Sequence, residues 1–401
     1  MTTPATTNAT EDLQIRASLE PVRDLKIDLT ATRTVNKAKS IQYMYEGRPT
    51  SQSGSFLQTT ISLGTAFGGM GDANNGYYSA TFEKFCNSLD AYRERVEAQY
   101  AGAAYEGSVN KYSADVMIPA FLDAYTTGGG GSLDLFPTLK RLLPNWTVRY
   151  TGLVKLPWFR DTFKSFNINH AYKSIFSVGS YNTYSSWLEY MGDLGFIKET
   201  STGNLIPSSK YSISTVSINE AFSPLLGVDM TFNNGLTAKI EYRQTRVLTL
   251  SMTSVQINEA LSKDFVIGLG YKIHDFNLFG SKNNRKIRNA QRGRNRNNQQ
   301  NASATNTTRS KTGVNHDLNI RLDVSYRRQA AITRDIATMA SSASSGNTAL
   351  KISLMADYTL SRLMTLSAFY DRQTNTPLLS SSSYPTTTQD FGVSLKFSLT
   401  R

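Results

Sequence analysis

Hydrophobic and polar positions alternate along much of this chain. From 389 to 400, Phe391, Val393, Leu395, Phe397 and Leu399 take one parity, and Asp390, Gly392, Ser394, Lys396, Ser398 and Thr400 take the other. The same period recurs in 11–21 (Leu13, Ile15, Ala17, Leu19), 24–35 (Leu25, Ile27, Leu29, Ala31), 54–67 (Leu57, Ile61, Leu63, Phe67), 145–156 (Trp146, Val148, Tyr150, Val154), 166–179 (Phe166, Ile168, Tyr172) and 210–219 (Tyr211, Ile213). It is cleaner in the second half, over 222–232, 236–243, 264–274, 317–327, 349–358 and 362–371, and Leu248, Leu250 and Met252 keep the parity of Leu236, Ala238, Ile240 and Tyr242. Successive Cβ atoms of a strand point to opposite faces, so each window predicts a strand with one apolar face. Thirteen strands are expected.

The opposite parity carries charge through strand centres: Lys239, Glu241 and Arg243; Arg321, Asp323 and Arg327; Lys351 and Asp357. Most windows run to about ten residues or more, longer than the five or six usual in soluble sandwiches. Spanning strands need roughly 9–11 residues, apolar toward lipid and polar toward a wet lumen. Tyr242, Tyr271, Tyr326, Tyr358 and Tyr370 sit near the ends of the apolar runs, where interfacial girdles lie. The pattern points to an all-β, antiparallel transmembrane barrel. Lys239, Glu241, Arg243, Arg321, Asp323, Arg327 and Lys351 are then lumen-facing. A self-contained outer-membrane porin and a soluble β-rich surface protein are the alternatives.

Connections add sidedness. The tight turns 20–24, 233–236 and 359–362 fall on one side if strands alternate in direction, and Asn234-Gly235 is a hairpin signal. Barrels keep short turns in the periplasm. The same count sends three long excursions there: 68–144, 180–209 and 275–316. In the first, Phe82, Phe85, Leu89, Tyr92, Val96 and Tyr100 are spaced by three and four and form a helical stripe, expected to pack within the insert or on the barrel rim. Shorter helical pieces are expected around Pro119 and Pro137. The organisation read from the sequence is barrel strands over 1–67, a helical periplasmic insert over 68–144, and barrel strands over 145–401 with a basic loop at 276–316.

Charge changes this picture little. Of 43 Lys and Arg residues, nine lie between Lys282 and Lys311 with no acid among them; without those nine, 34 basic face 31 acidic residues. The net charge of +12 thus belongs to one Asn-, Gln-, Ser- and Thr-rich stretch that is unable to bury a core and is expected to be disordered. It has no aromatic on which a base could stack, so no nucleic-acid partner is expected. Mean hydropathy is -0.35 and no run approaches a spanning helix. The single Cys86 excludes a disulfide within the chain. His170, His274 and His316 share no ligand spacing, and no nucleophile elbow, phosphate loop or zinc-protease motif occurs. Neither an enzyme nor a cofactor is expected.

The final strand fits a known pattern. "DFGVSLKFSL" resembles the terminal β-signal read by barrel-insertion machinery, with Asp390, Gly392, Leu395 and Phe397 at its positions. The longer strings "INEAFSPLLGVDMTFNNGLTAKIEYRQTRVLTLSMTSVQINEALSKDFVIGLGYKI" (218–273), "HDLNIRLDVSYRR" (316–328) and "YTLSRLMTLSAFYDRQTNTP" (358–377) resemble the C-terminal part of the SprA/Sov family. These are giant outer-membrane translocons of the type IX secretion system, also tied to gliding motility. The resemblance spans most of 145–401, loosens over 11–67 and is weakest in the helical insert. It implies export of folded cargo proteins through a very wide single-chain barrel in outer-membrane lipid, with accessory PorV-like and plug proteins. Family chains are several times longer, so this sequence is expected to be their end, which accounts for the lack of a signal peptide.

Overall fold

Alternation becomes pairing in the computed structural model, which describes residues 4–41, 51–103, 109–128, 130–191, 194–198, 201–274, 276, 316–361, 363–379 and 384–398. Its strands are β1 (Ala5–Val22), β2 (Leu25–Ile41), β3 (Ser51–Thr59), β4 (Asn145–Tyr150), β5 (Phe163–Thr183), β6 (Trp187–Met191), β7 (Leu194–Lys198), β8 (Leu205–Ser209), β9 (Tyr211–Ile213), β10 (Thr215–Phe232), β11 (Leu236–Ser251), β12 (Gln256–Ile273), β13 (Leu318–Asp335), β14 (Ser341–Ser361), β15 (Met364–Pro377) and β16 (Thr386–Phe397). The helices are α1 (Ala80–Gln99), α2 (Ala114–Tyr125) and the one-turn α3 (Pro157–Arg160). The fold is mostly antiparallel β, and the helical part is minor.

One sheet of thirteen strands runs β1-β2-β3-β5-β10-β11-β12-β13-β14-β15-β16. Among the described residues, β1 pairs only with β2 and β16 only with β15, which leaves two sheet edges. A separate sheet orders β6-β7-β8. The basic stretch 282–311 and Leu399 lie outside the described residues.

The main departure from expectation is in the third strand position. The windows 54–67 and 145–156 read as two neighbouring strands. Instead β3 pairs Arg33–Ser40 of β2, and β4 pairs Leu25–Thr30 of the same strand, both antiparallel to it. They are collinear halves of one position, and both also pair with β5. The chain leaves the sheet after Thr59, not at 68, and returns at Asn145. Leu63 and Thr65 sit in a 3-10 turn rather than a strand. Between the halves the Leu143 amide donates to the Thr59 carbonyl, 3.4 Å away.

A second correction follows in β10, which joins the windows 210–219 and 222–232. Its pairing with β11 slips between Phe222 and Leu226. Pro224 lies in the slip and has no amide to donate, so the ladder is interrupted by a bulge there rather than by a turn.

These two changes revise the sidedness. The tight turns at 23–24 and 233–235 and the short connection between Ser361 and Met364 do share one end of the sheet. Gly235, at φ 87, and Asp24, at φ 71, supply the left-handed conformations that the 233–235 and 23–24 turns require. The excursion after β12 also leaves at this turn end. β5 runs away from it, however, because Phe163 pairs with Phe232 near the 233–235 turn and Val178 pairs with Val216 near the start of β10. The excursion 184–210 therefore lies at the opposite end. The insert packs there too, so the expectation of three excursions on the side of the tight turns holds for one of them. The helical insert lies opposite the end at which a periplasmic location was expected.

The stripe of α1 is buried as its spacing requires: Phe82, Phe85, Leu89, Tyr92, Val96 and Tyr100 all lie in the core. Ser79 caps α1 through its hydroxyl, which accepts from the Phe82 amide at 3.4 Å. The middle of α2 is apolar on every side, with Val116, Met117, Ile118, Ala120, Phe121 and Leu122 buried and its two acids, Asp115 and Asp123, near the ends, as a helix enclosed between α1 and a sheet requires. The sheet's contribution to this core is Phe56, Phe176, Val178, Val216, Ile218, Leu248, Leu250 and Ile257. The expected helix around Pro137 is only the 3-10 turn Leu139–Arg141.

Candidate functional site

The registers assign every strand residue to a face. Directly paired residues share a face, and alternate residues along a strand do too. One row of partners reads Leu25, Tyr150, Ile168, Val228, Ile240, Ile267, Val324 and Ile352. The next row toward the turn end reads Phe166, Met230, Ala238, Leu269, Leu322, Leu354, Tyr370 and Phe391. Toward the other end, Tyr242, Phe265, Tyr326 and Leu350 form a row with two neighbouring aromatics exposed at its centre, Phe265 and Tyr326. An apolar band therefore crosses all eleven positions of the sheet, reaching β1 at Val22 beside Leu25, with polar residues in it at His170 on β5 and at Arg372 and Gln389 on β15 and β16. From Ile273 to Phe265 it covers nine residues, eight steps or roughly 27 Å along the strand at ~3.4 Å per residue. Aromatic side chains border it at the turn end as well, where Phe159 and Phe163 pack together and Phe163 meets Phe232, beside the exposed Trp158.

The reverse face is polar, and it gathers all seven residues singled out for it. Lys239 reaches Glu241 at 2.9 Å, and Arg243 pairs with the same carboxylate. Arg327 bonds Asp264, its cross-strand partner, at 2.7 Å. Asp323 lies over Gly268, where a Cβ would come within 2.9 Å of its carboxylate. Arg321 and Lys351 make no ion pair among the described residues. The face is thus of mixed sign, with small hydroxyl residues between the charges. Beside the gap between β3 and β4 it holds a depression of about 530 Å³ lined by Asp28, Thr30, Thr59, Thr147 and Lys173.

The four terminal positions divide between the faces. Leu395 and Phe397 pair with Leu366 and Met364 on the apolar band. Asp390 and Gly392 lie on the polar face opposite Asp371 and Phe369. The Phe369 ring crosses Gly392 so closely that a Cβ there would sit 2.7 Å from it, the aromatic-over-glycine device that fixes register between strands.

Sequence reasoning missed a second constellation. Above the apolar band, on the same face, the rows carry Glu220 beside Arg246 and Glu259 beside Arg334. Arg246 meets Glu220 at 2.8 Å through Nη2, which also donates to the Thr65 hydroxyl at 2.7 Å, while Nη1 donates to the Thr65 carbonyl at 2.6 Å. Tyr172 donates to Glu220 at 2.8 Å and accepts from the Ser62 amide at 2.8 Å, while Gln244 donates to the Ala66 carbonyl at 2.7 Å. Arg334, wholly buried, meets Glu259 at 2.8 Å and donates to the carbonyls of Tyr77 at 2.6 Å and Met70 at 3.3 Å and to the Ser341 hydroxyl at 3.1 Å. The two guanidiniums therefore latch residues 65–77 onto the sheet. A carboxylate neutralises each, and backbone carbonyls take its remaining donors, which is what a buried charge requires. The signal was present in the sequence: Glu220, Arg246, Glu259 and Arg334 are charges at the parity that is apolar over the rest of their strands' turn-end halves.

The insert is tied to the second excursion as well. The Ser209 amide of β8 donates to Asp115 of α2 at 2.7 Å, and burial pushes that carboxyl above the ordinary carboxylate value despite the bond. Tyr100 donates to the Gly195 carbonyl at 3.2 Å. Burial raises the Cys86 thiol to about 11, so it is inert at neutral pH. The three histidines are dispersed: His170 lies against the Leu225 carbonyl at 2.6 Å, His274 against Asp317 at 3.3 Å and His316 against the Thr359 carbonyl at 3.0 Å. Among the described residues, no three His, Cys, Asp or Glu side chains converge as a metal site.

No family model matches the chain, and no curated protein does. Among solved structures, OmpT, an outer membrane protein of Vibrio cholerae in its trimer form, aligns over 98% of this chain and 99% of its own at 9% identity and a TM-score of 0.24. An anion-selective porin from Comamonas acidovorans aligns over 92% of this chain and 90% of its own at 9% identity and a TM-score of 0.11. These overlaps are too slight to bear on function, which rests instead on the two faces of this chain's own sheet.

Proposed function

We propose that this sheet is a stretch of the wall of a bacterial outer-membrane β-barrel pore, and that the pore is the type IX protein translocon of the SprA/Sov kind. One observation carries the first part: an apolar band crosses all eleven strand positions on one face, while the reverse face is charged at the same height. Its extent along the strand is near the ~25 Å apolar height of outer-membrane barrels. Aromatic residues border it at both ends. An antiparallel wall in lipid satisfies every backbone group inside the sheet, so long as its edges are paired.

Edge direction favours a larger barrel. Ten antiparallel steps separate β1 from β16, so both run toward the turn end. Joining them directly would form a parallel pair. An all-antiparallel wall needs an odd number of further strands between them, and a very wide single-chain barrel supplies such strands. The strings at 218–273, 316–328 and 358–377 support the translocon reading. In it, Lys239, Glu241, Arg243, Arg321, Asp323, Arg327 and Lys351 line the lumen. A hydrated wall of mixed sign lets folded cargo of varied surface pass without sticking, whereas a one-signed wall would select by charge. Asp390, Gly392, Leu395 and Phe397 present the last strand to the insertion machinery. PorV-like and plug proteins are the partners.

Cysteine mapping tests the wall. Cys86 is the chain's one cysteine and is buried, so introduced thiols report cleanly. Cysteines at Leu269, Leu322 and Leu354 should resist a hydrophilic maleimide in native membranes and react after detergent. Cysteines at Lys239, Arg321 and Lys351 should react in both. Equal labelling of the two sets removes the membrane reading. Polar-face charge reversals that leave export of folded surface proteins and gliding unchanged remove the translocon reading alone.

A further inference from the structure

Directly above the aromatic row Phe265–Tyr326, the band's face carries Lys263 on β12 and Arg328 on β13 as cross-strand partners. Like charges directly opposite one another destabilise a sheet. Here nothing offsets them: among the described residues neither makes an ion pair or a hydrogen bond, and both are exposed. The flanking positions in the row are Gln244, whose amide is committed to the Ala66 carbonyl, and the neutral Thr348.

A cavity of about 460 Å³ opens beside this pair, between the segment 69–77 of the latched insert and the sheet. Met70, Tyr77, Leu261, Ile332 and Leu378 give it apolar walls. Among the described residues its one carboxylate is Asp72, whose Oδ1 accepts from the amides of Asn74 at 3.0 Å and Asn75 at 3.1 Å. Arg334 holds the roof in place through the carbonyls of Met70 and Tyr77. The site is therefore amphiphilic: an apolar recess, two uncompensated cations at its mouth, and an apolar band immediately beneath them.

We propose that Lys263 and Arg328 bind the phosphate of an anionic membrane lipid, with an adjoining apolar part of that lipid in the recess under 69–77. The assignment rests on the membrane reading of the band. A headgroup phosphate of a lipid packed on Tyr326 and Phe265 lies at the height of the two cations, neutralises both, and makes charge-assisted bonds with Arg328. Only a lipid combines an anion with apolar surface on the same side as the band; a free phosphate gains nothing from the recess or the aromatic row.

The test uses the full chain purified in a non-ionic detergent and titrated with a diphosphorylated lipid A, with a zwitterionic phospholipid in parallel, and bound lipid counted by native mass spectrometry. The wild type should retain lipid A over the zwitterionic lipid. The K263Q/R328Q double variant should lose at least tenfold in lipid A affinity, and K173Q, on the polar face, should not change. Both variants are first checked for the membrane protection of a cysteine at Leu269. Loss of that protection in the wild type overturns the membrane reading and this inference with it. Retained protection with equal lipid A binding by wild type and double variant overturns this inference alone. Displacement of bound lipid by millimolar inorganic phosphate makes the pair a free-anion site and also overturns it.

Discussion

Substituting Arg334→Met tests whether the insert is latched by charge. The side chain is fully buried, and its loss strands three kinds of group at once: the Glu259 carboxylate, 2.8 Å away, the carbonyls of Tyr77 and Met70, and the Ser341 hydroxyl. Removing one partner of a buried ion pair costs about 3–5 kcal/mol, because the remaining charge is uncompensated. At about 1.4 kcal/mol per tenfold, that raises the population with 69–79 detached by roughly two to three and a half powers of ten. Pairing the change with Glu259→Leu removes the stranded carboxylate and should recover much of the loss. The two carbonyls stay unpartnered at about 1–3 kcal/mol each unless water reaches them, so recovery is incomplete. The assay is limited proteolysis of the insert in protein whose sheet stays heat-modifiable, with cut sites read by mass spectrometry. Wild-type resistance in the single variant would refute the latch. A double variant as sensitive as the single one would show that Glu259 is not the stranded charge.

Leu322→Arg and Leu269→Arg should each cost about 2–4 kcal/mol if the band faces lipid, and Arg321→Gln next to them should be tolerated; accumulation of heat-modifiable protein in the outer membrane compares them, and equal loss overturns the assignment of faces. Gly392→Ala should cost about 1 kcal/mol, the low end for overpacking since the Phe369 ring is partly exposed, and Phe369→Ala/Gly392→Ala should lose the clash; assembly rates measure both, and a neutral single variant would mean the ring over Gly392 is not needed. Asp115 has its carboxyl raised by burial, so the folded state holds its proton more tightly than the unfolded chain, and its contribution is full below the ordinary carboxylate pKa and lost as pH rises through the higher folded one. Asp115→Asn keeps an acceptor for the Ser209 amide without the buried charge, so the insert should melt higher at pH 7 than in the wild type and converge with it at acid pH; a variant that melts lower at pH 7 would refute this reading.

The faces of this protein were legible in its sequence. Leu318, Ile320, Leu322, Val324 and Tyr326 alternate with Asn319, Arg321, Asp323, Ser325 and Arg327, and the backbone of a strand turns that alternation into two faces without reference to anything distant. The same holds for α1, whose stripe follows from 3.6 residues per turn, and for Asn234-Gly235, whose turn is settled within four residues. Local periodicity is enough wherever the determining contacts are local.

The tertiary structure decided what lies across the gaps. Nothing near Thr59 or Asn145 says that they continue one strand, because both halves are defined by β2 and β5, and the insert between them finds its place by packing on Phe56, Phe176, Leu248 and Leu250 and by the bonds of Arg246 and Arg334. That one join reverses the direction assigned to part of the chain and moves the insert to the other end of the sheet. The same packing explains the charges that broke the alternation. Arg246 and Arg334 stand at apolar parity because the insert, rather than lipid, covers that height of the sheet, and it brings backbone carbonyls to them. A residue's parity is fixed by its own strand, but what that parity faces is fixed by whatever the rest of the chain lays against it.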